Sequence, residues 1–213
     1  MATVIVDYDS GNLHSARKSF QRMAQELDAG AVEVSSDPDA LNRADRIVLP
    51  GVGAFADCRA GLAARDGLFE ALQAAVLTRG VPFLGICVGA QMMATRGLEH
   101  GIDTPGFGWI GGEVVGIGTN DPALKIPHMG WNDLVIEHDH PVLAGISTGD
   151  HAYFVHSYHL VPENPVHRIA HADHGGAITA MVGRENMIGT QFHPEKSQTT
   201  GLRLIGNFLN WKP

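Results

Sequence analysis

Disulfide scaffolding is missing from this chain. It carries two cysteines, Cys58 and Cys87, too few for a framework of pairs and consistent with a reducing, cytoplasmic setting. No run reaches the roughly 18 apolar residues of a membrane span. The opening residues turn acidic at Asp7, before a secretory apolar segment could form. Positive charge is also scarce: 15 Lys and Arg stand against 23 Asp and Glu, a net charge of −8. Nothing basic is concentrated enough to grip phosphate backbones, which argues against nucleic acid as a partner. Internal repeats, low-complexity linkers and blocks of like charge are absent too, and with them the usual signatures of disorder.

What remains is a 213-residue chain that is 44% hydrophobic, enough for a single domain over 1–213 with one sizeable core. The first half alternates apolar runs with helical spacing. Residues 3–8, 32–36, 46–50 and 82–87 read as strands. Residues 12–27 read as a helix with Leu13, Ala16, Phe20, Met23 and Leu27 on one face. Residues 36–41 read as a short capped helix with Pro38 in its first turn, and 66–79 as a longer helix. Such alternation predicts a parallel sheet covered on both faces. Beyond residue 108 short strands and turns dominate, which predicts antiparallel additions to that sheet or a small second one. The C-terminal stretch predicts an amphipathic helix with Leu202, Ile205, Phe208 and Leu209 inward. The fold class is a three-layer α/β domain.

Cys87 sits where the fourth strand becomes a helix, framed as Gly85-x-Cys87-x-Gly89. That is the layout of a nucleophile elbow with sulfur in place of oxygen. The turn is tight enough that close neighbours must lack a Cβ, and the following helix places its positive end near the sulfur. A purely structural thiol would account for the apolar neighbours but not for both glycines. Cys58 lacks this frame and is expected to pack on a helix. A proton partner is offered by Gly189–Ser197, "GTQFHPEKS". His193 and Glu195 are two apart in a segment read as extended, which puts both on one side, where the carboxylate can orient the imidazole. Gly51-Val52-Gly53, after the third strand, and the backbone N–H of Val88 are expected to supply oxyanion donors. A metal site is not expected: His156 and His159 would face opposite sides of one strand, and no Cys or carboxylate completes a set around His151, His171 and His174.

The three segments together resemble the class I (triad) glutamine amidotransferases, in which an elbow cysteine and a late His-Pro-Glu supply the triad. The resemblance spans nearly the whole chain. Within the family it is nearest the branch that feeds a cyclase of histidine biosynthesis. The stretches that carry this are "VDYDSGNLHS", "PGVGAF", "KIPHMGWNDL" and "HAYFVHSYHL". Two departures stand out: Asp9, where the family's opening has a glycine, and Ala90, at a position often larger.

The resemblance implies Cys87 as nucleophile, His193 as general base and acid, and Glu195 as its orienter, with no cofactor. It implies L-glutamine as substrate, held by the side-chain amide of Gln91. Glu99 would meet the α-ammonium, and His156, Ser157 and Tyr158 the α-carboxylate, partly by backbone. It further implies a (β/α)8-barrel cyclase as heterodimer partner, docked on the triad face, with Trp131 and Tyr153 as aromatic anchors and Asn12 and Lys196 as polar contacts. Trp131 and Tyr153 could equally be core. Competing readings are a glutaminase for another acceptor (anthranilate, aminodeoxychorismate, guanylate or carbamoyl phosphate), a free-standing γ-glutamyl hydrolase, and a degenerate glutaminase kept as a scaffold.

Overall fold

A computed structural model describes residues 1–119, 121 and 123–213. In the first half, strands β1 (Ala2–Val6), β2 (Ala31–Ser35), β3 (Arg46–Gly51) and β4 (Phe83–Cys87) alternate with helices α1 (Leu13–Glu26), α2 (Pro38–Arg43), α3 (Phe55–Ala63), α4 (Leu68–Gln73) and α5 (Val88–Gln91). The second half carries β5 (Arg96–Glu99), β6 (Ile102–Pro105), β7 (Gly112–Gly116), β8 (His128–Asp133), β9 (Val135–Ile136), β10 (His151–His156), β11 (Tyr158–Pro162), β12 (Arg168–Asp173), β13 (Ala177–Arg184) and β14 (Met187–Thr190). It ends in α6 (Gln198–Asn210).

Among the described residues the main sheet has the order β2-β1-β3-β4-β14-β13-β12-β9. β2 through β14 are parallel, and the last three strands are antiparallel. β3 and β4 are buried along their whole length, as apolar runs covered on both faces must be. β2, at the edge, stays partly exposed. Of the helices, α2 and α3 both pack against α4. α6 joins α1, where Phe20 meets Phe208 edge-on at 6.3 Å. A second sheet, β11-β7-β5-β6, and the pair β10-β8 complete the fold. Both options expected for the C-terminal half therefore occur together.

Several local expectations need correction. The segment read as one helix over 66–79 is α4 followed by a wider turn of π-helix at Ala74–Thr78. On α6 it is Leu204, not Leu202, that is fully buried with Ile205, Phe208 and Leu209. Leu27 is 40% exposed rather than core. His156 and His159 lie on different strands, β10 and β11, not on one. Asp9 takes the conformation a glycine would, with φ 65°. Aspartate tolerates that left-handed region better than most residues, and here its carboxylate pairs with Arg65.

Candidate active site

Register brings the site together. Gly51, last in β3, is the cross-strand partner of Cys87, last in β4. Thr190, last in β14, pairs with Ile86 on the other side of β4. Three adjacent parallel strands thus end at one sheet edge, the usual ligand side of such sheets. His193 lies three residues past β14, so the chain's two distant motifs meet there without any long loop.

Cys87 sits at φ 55° and ψ −112°, a strained position for a residue with a Cβ and one that clusters at functional sites. Its flanking glycines are sterically required. A Cβ on Gly89 would lie 1.8 Å from the Leu49 carbonyl oxygen, and one on Gly85 would lie 2.7 Å from the Ala90 backbone. Ala90 Cβ packs over Gly189, where a Cβ added at 189 would lie 2.7 Å from it. The helix after the elbow is a single turn, α5. It can offer terminal N–H groups but not the full dipole of a long helix.

His193 and Glu195 do meet, with Nδ1 to Oε1 at 2.9 Å and both side chains almost fully buried. The backbone differs from the expectation. His193 caps a 3-10 turn, Pro194–Lys196, and the turn, not strand alternation, brings the carboxylate back to Nδ1. Proline at the first helical position favours that turn. It is tied down from β10: His193 N–H donates to the Tyr153 carbonyl at 3.0 Å, and Tyr153 N–H donates to Ser197 Oγ at 3.0 Å. Burial pulls the His193 imidazole down, but hydrogen bonding to Cys87 and Glu195, with their charges, overcomes it and raises the group to about 9. Glu195 Oε2 is buried with no hydrogen-bond partner among the described residues.

Cys87, Val88, Gln91, Glu99, Tyr158 and His193 all line one cavity of about 470 Å³, together with Val52, Gly53, His156, Ser157 and Lys196. Glu99 lies at the end of a strand, β5, and its Oε2 accepts from Phe55 N–H at 2.5 Å, capping α3 from a distance where Ala54 offers no side-chain cap. Gln91 is buried, its Nε2 donating to the Tyr158 carbonyl at 2.9 Å and to Gln191 Oε1 at 3.0 Å.

Two of the expected contributors have groups engaged elsewhere. Val52 lines the cavity, but its N–H donates to Ser10 Oγ at 3.2 Å, while its carbonyl accepts from Ser10 Oγ at 2.9 Å and from Cys58 Sγ at 3.3 Å. In this conformation the Val52 N–H is taken up by Ser10. His156 lines the cavity, but both of its ring nitrogens are already engaged: Nδ1 bonds the Tyr158 carbonyl and Nε2 bonds His128. Burial pushes the Cys58 thiol up, which keeps it protonated and unreactive.

Outside the cavity mouth, Trp131 is 48% exposed and stands edge-on to Tyr153 at 5.8 Å. Lys196 Nζ sits 5.8 Å from the centre of the Tyr153 ring. These three form one outward cluster, so the core alternative for Trp131 is wrong. Asn12 caps α1, its side-chain oxygen accepting from Ser15 N–H. Sequence reasoning missed Gln191, whose Nε2 lies 3.6 Å from Cys87 Sγ. Its position two before His193 was the available signal. Ser10 gave none. Among the described residues no group of three or more His, Cys, Asp or Glu is arranged to hold a metal ion, and no helix is long and apolar enough to cross a membrane.

A strained cysteine elbow at a parallel sheet edge, facing a buried His–Glu pair, defines the class of triad amidotransferases. The chain belongs to that family: the model described as "Glutamine amidotransferase class-I" matches residues 4–211. Its relatives include the imidazole glycerol phosphate synthase subunit HisH of Cereibacter sphaeroides, 68% identical over 213 residues and covering 100% of both chains. The same-named subunit of Ruegeria pomeroyi is 61% identical over 213 residues, again covering 100% of both. In fold alone it is similar to the glutaminase domain of Trypanosoma brucei CTPS, solved with bound acivicin. That match has a TM-score of 0.66 at 17% identity and covers 98% of this chain and 92% of that one.

Proposed function

We infer that the chain is the glutaminase subunit of imidazole glycerol phosphate synthase, hydrolysing L-glutamine to glutamate and ammonia. The observation that carries this reading is full-length identity of 68% and 61% to proteins of that name. The buried His193–Glu195 pair beside Cys87 in one cavity supports it.

In the proposed reaction Cys87 Sγ attacks the side-chain carboxamide carbon of glutamine. His193, holding its proton at neutral pH, protonates the departing nitrogen, and ammonia leaves. Water activated by His193 then hydrolyses the glutamyl thioester. Glu195 keeps the imidazole oriented and stabilises its charged form. Gln91, Glu99 and the main chain of His156, Ser157 and Tyr158 hold the amino-acid end. Val88 N–H faces the developing oxyanion. The second donor is Val52 N–H, after rotation of the Gly51–Val52 peptide away from Ser10. Losing one such donor typically costs on the order of a hundredfold or more, so this conformation is the idle one. Gly51 and Gly53 make the rotation inexpensive.

Ammonia in water at neutral pH is mostly ammonium, which is not a nucleophile, so direct transfer to a second active site is favoured. The partner is a cyclase of (β/α)8-barrel fold, docked on the triad face over Trp131, Tyr153 and Lys196, with Asn12 in the first βα loop as a further contact. It converts a phosphoribulosyl-formimino carboxamide nucleotide to imidazole glycerol phosphate and aminoimidazole carboxamide ribotide, in the cytoplasm. The test is co-purification with that cyclase, then assay with and without its nucleotide ligand. Cys87→Ala is expected to abolish glutamine-dependent turnover while sparing turnover with added ammonia. Loss of both activities, or of neither, would refute the assignment.

A further inference from the structure

Behind the cavity lies a set of polar groups that the reaction scheme leaves unused. His128 and His156 are cross-strand partners at the ends of β8 and β10, 4% and 6% exposed. His128 is stacked between Phe154, at 4.7 Å, and His174, at 4.3 Å, which fixes its ring plane. Burial holds both imidazoles neutral, His156 down at about 3 and His128 at about 4.

The hydrogen bonds then have only one consistent direction. The Tyr158 carbonyl can only accept, so His156 Nδ1, 2.9 Å away, carries the proton and its Nε2 is an acceptor. His128 Nδ1, at 3.0 Å from that Nε2, must therefore donate. His128 Nε2 is left to accept from Asn132 Nδ2 at 3.1 Å. Asn132 is itself fixed: Nδ2 also donates to the Asp173 carbonyl at 2.9 Å, and Oδ1 accepts from Asp133 N–H at 2.8 Å. At the far end the Tyr158 carbonyl accepts a second bond, from Gln91 Nε2 at 2.9 Å. The other Gln91 amide proton goes to Gln191 Oε1 at 3.0 Å. With both protons spent, Oε1 is the atom Gln91 can present to a ligand.

We propose that Asn132, His128 and His156 are positioning residues, a one-way relay that fixes the Tyr158 carbonyl and so turns the Gln91 amide with Oε1 toward the glutamine cavity. None of the three reacts. Their effect is on the acceptor offered to the N–H groups of the bound amino acid. The proposal rests on the glutamine reading of the cavity. It also gives β8 two faces, since Met129 and Trp131 point outward, at 63% and 48% exposure, while His128 and Asn132 carry the relay inward.

Glutaminase kinetics of the complex with the cyclase partner test it. His128→Leu removes the donor to His156. It is expected to raise KM for glutamine about tenfold, the scale of one buried hydrogen bond, with kcat within about threefold. His128→Asn keeps a donor at the δ position and is expected to restore KM to within about threefold of the parent. Equal KM values for the two variants, or a KM unchanged in both, would overturn the relay. So would a loss confined to melting temperature. Because His128→Leu could fail to fold, nitrogen-15 NMR of the unsubstituted chain supplies an independent test: both His128 and His156 are expected as the Nδ1–H tautomer, and Nε2–H on either overturns the proposal. Normal labelling of Cys87 by a glutamine-mimicking electrophile with unchanged KM in the variants would sink the relay and spare the glutamine reading. Absence of labelling in the unsubstituted complex would sink both.

Discussion

Replacing Gly89 by alanine is the sharpest test of the elbow geometry, because two effects of opposite sign compete. Within a helix, glycine to alanine is normally stabilising, by roughly 0.5–1 kcal/mol. Here the added Cβ would sit 1.8 Å from the Leu49 carbonyl oxygen, where contacts under 3.0 Å are essentially never seen. The Cβ is fixed rigidly to the α5 backbone and the oxygen belongs to the β3 backbone, so α5 and the end of β3 must separate by about 1.2 Å. Overpacking of this kind costs about 1–3 kcal/mol, which outweighs the helix gain. For a chain of this size 2 kcal/mol corresponds to roughly a 4–8 °C fall in Tm. The displacement also moves Cys87 relative to Gly51 and His193, and misplacement of about 1 Å can cost roughly a hundredfold in rate. The assay is kcat for glutamine in the cyclase complex, with Tm by calorimetry and Gly118→Ala as control, since a Cβ there meets nothing within 4 Å. Wild-type kcat and Tm in Gly89→Ala would refute the claim that the elbow is pressed against β3.

Glu195→Gln removes the carboxylate that helps hold His193 up at about 9. A carboxylate favours the charged imidazole, so its loss lowers the His193 value. The alkaline limb of the pH–rate profile is expected to shift toward about 6.5, with kcat falling on the order of a hundredfold; an unmoved limb would contradict the assigned role. Acid stability follows from the buried neutral histidines. Burial pushes His156 to about 3 and His128 and His159 to about 4. Below about 6.5 the unfolded chain takes up protons that the folded chain refuses, so stability falls from there to about pH 4, by several kcal/mol in all. Denaturant midpoints measured across that range are expected to drop steeply, and less so in His159→Asn; a flat profile would refute it. His193 has the opposite sign: its contribution is present below about 6.5 and is lost as pH rises through about 9.

Much of this was legible in the sequence because it is local. Apolar runs gave β1, β3 and β4, and the paired glycines around Cys87 mark a turn that steric contact with Leu49 and Ala90 now explains. The meeting of His193 and Glu195 was legible, but not its cause, because a 3-10 turn and a strand both bring such residues near one another. The clamp of Ser10 on Val52 spans 42 residues and the His128–His156 bond 28. Neither leaves a periodic trace, and their partners are chosen by tertiary packing. The exposure of Trp131 was undecidable for a related reason: an aromatic residue on an alternating strand can face either way until its partner strand, β10, is placed.

The most direct measurement of the central claim is peptide mapping by mass spectrometry after treating the cyclase complex, with its nucleotide ligand present, with a glutamine-mimicking electrophile. The account predicts one adduct, on Cys87, abolished by excess glutamine, with Cys58 unmodified. An adduct on Cys58 in an active complex, or full glutamine-dependent activity with Cys87 replaced by alanine, would contradict it.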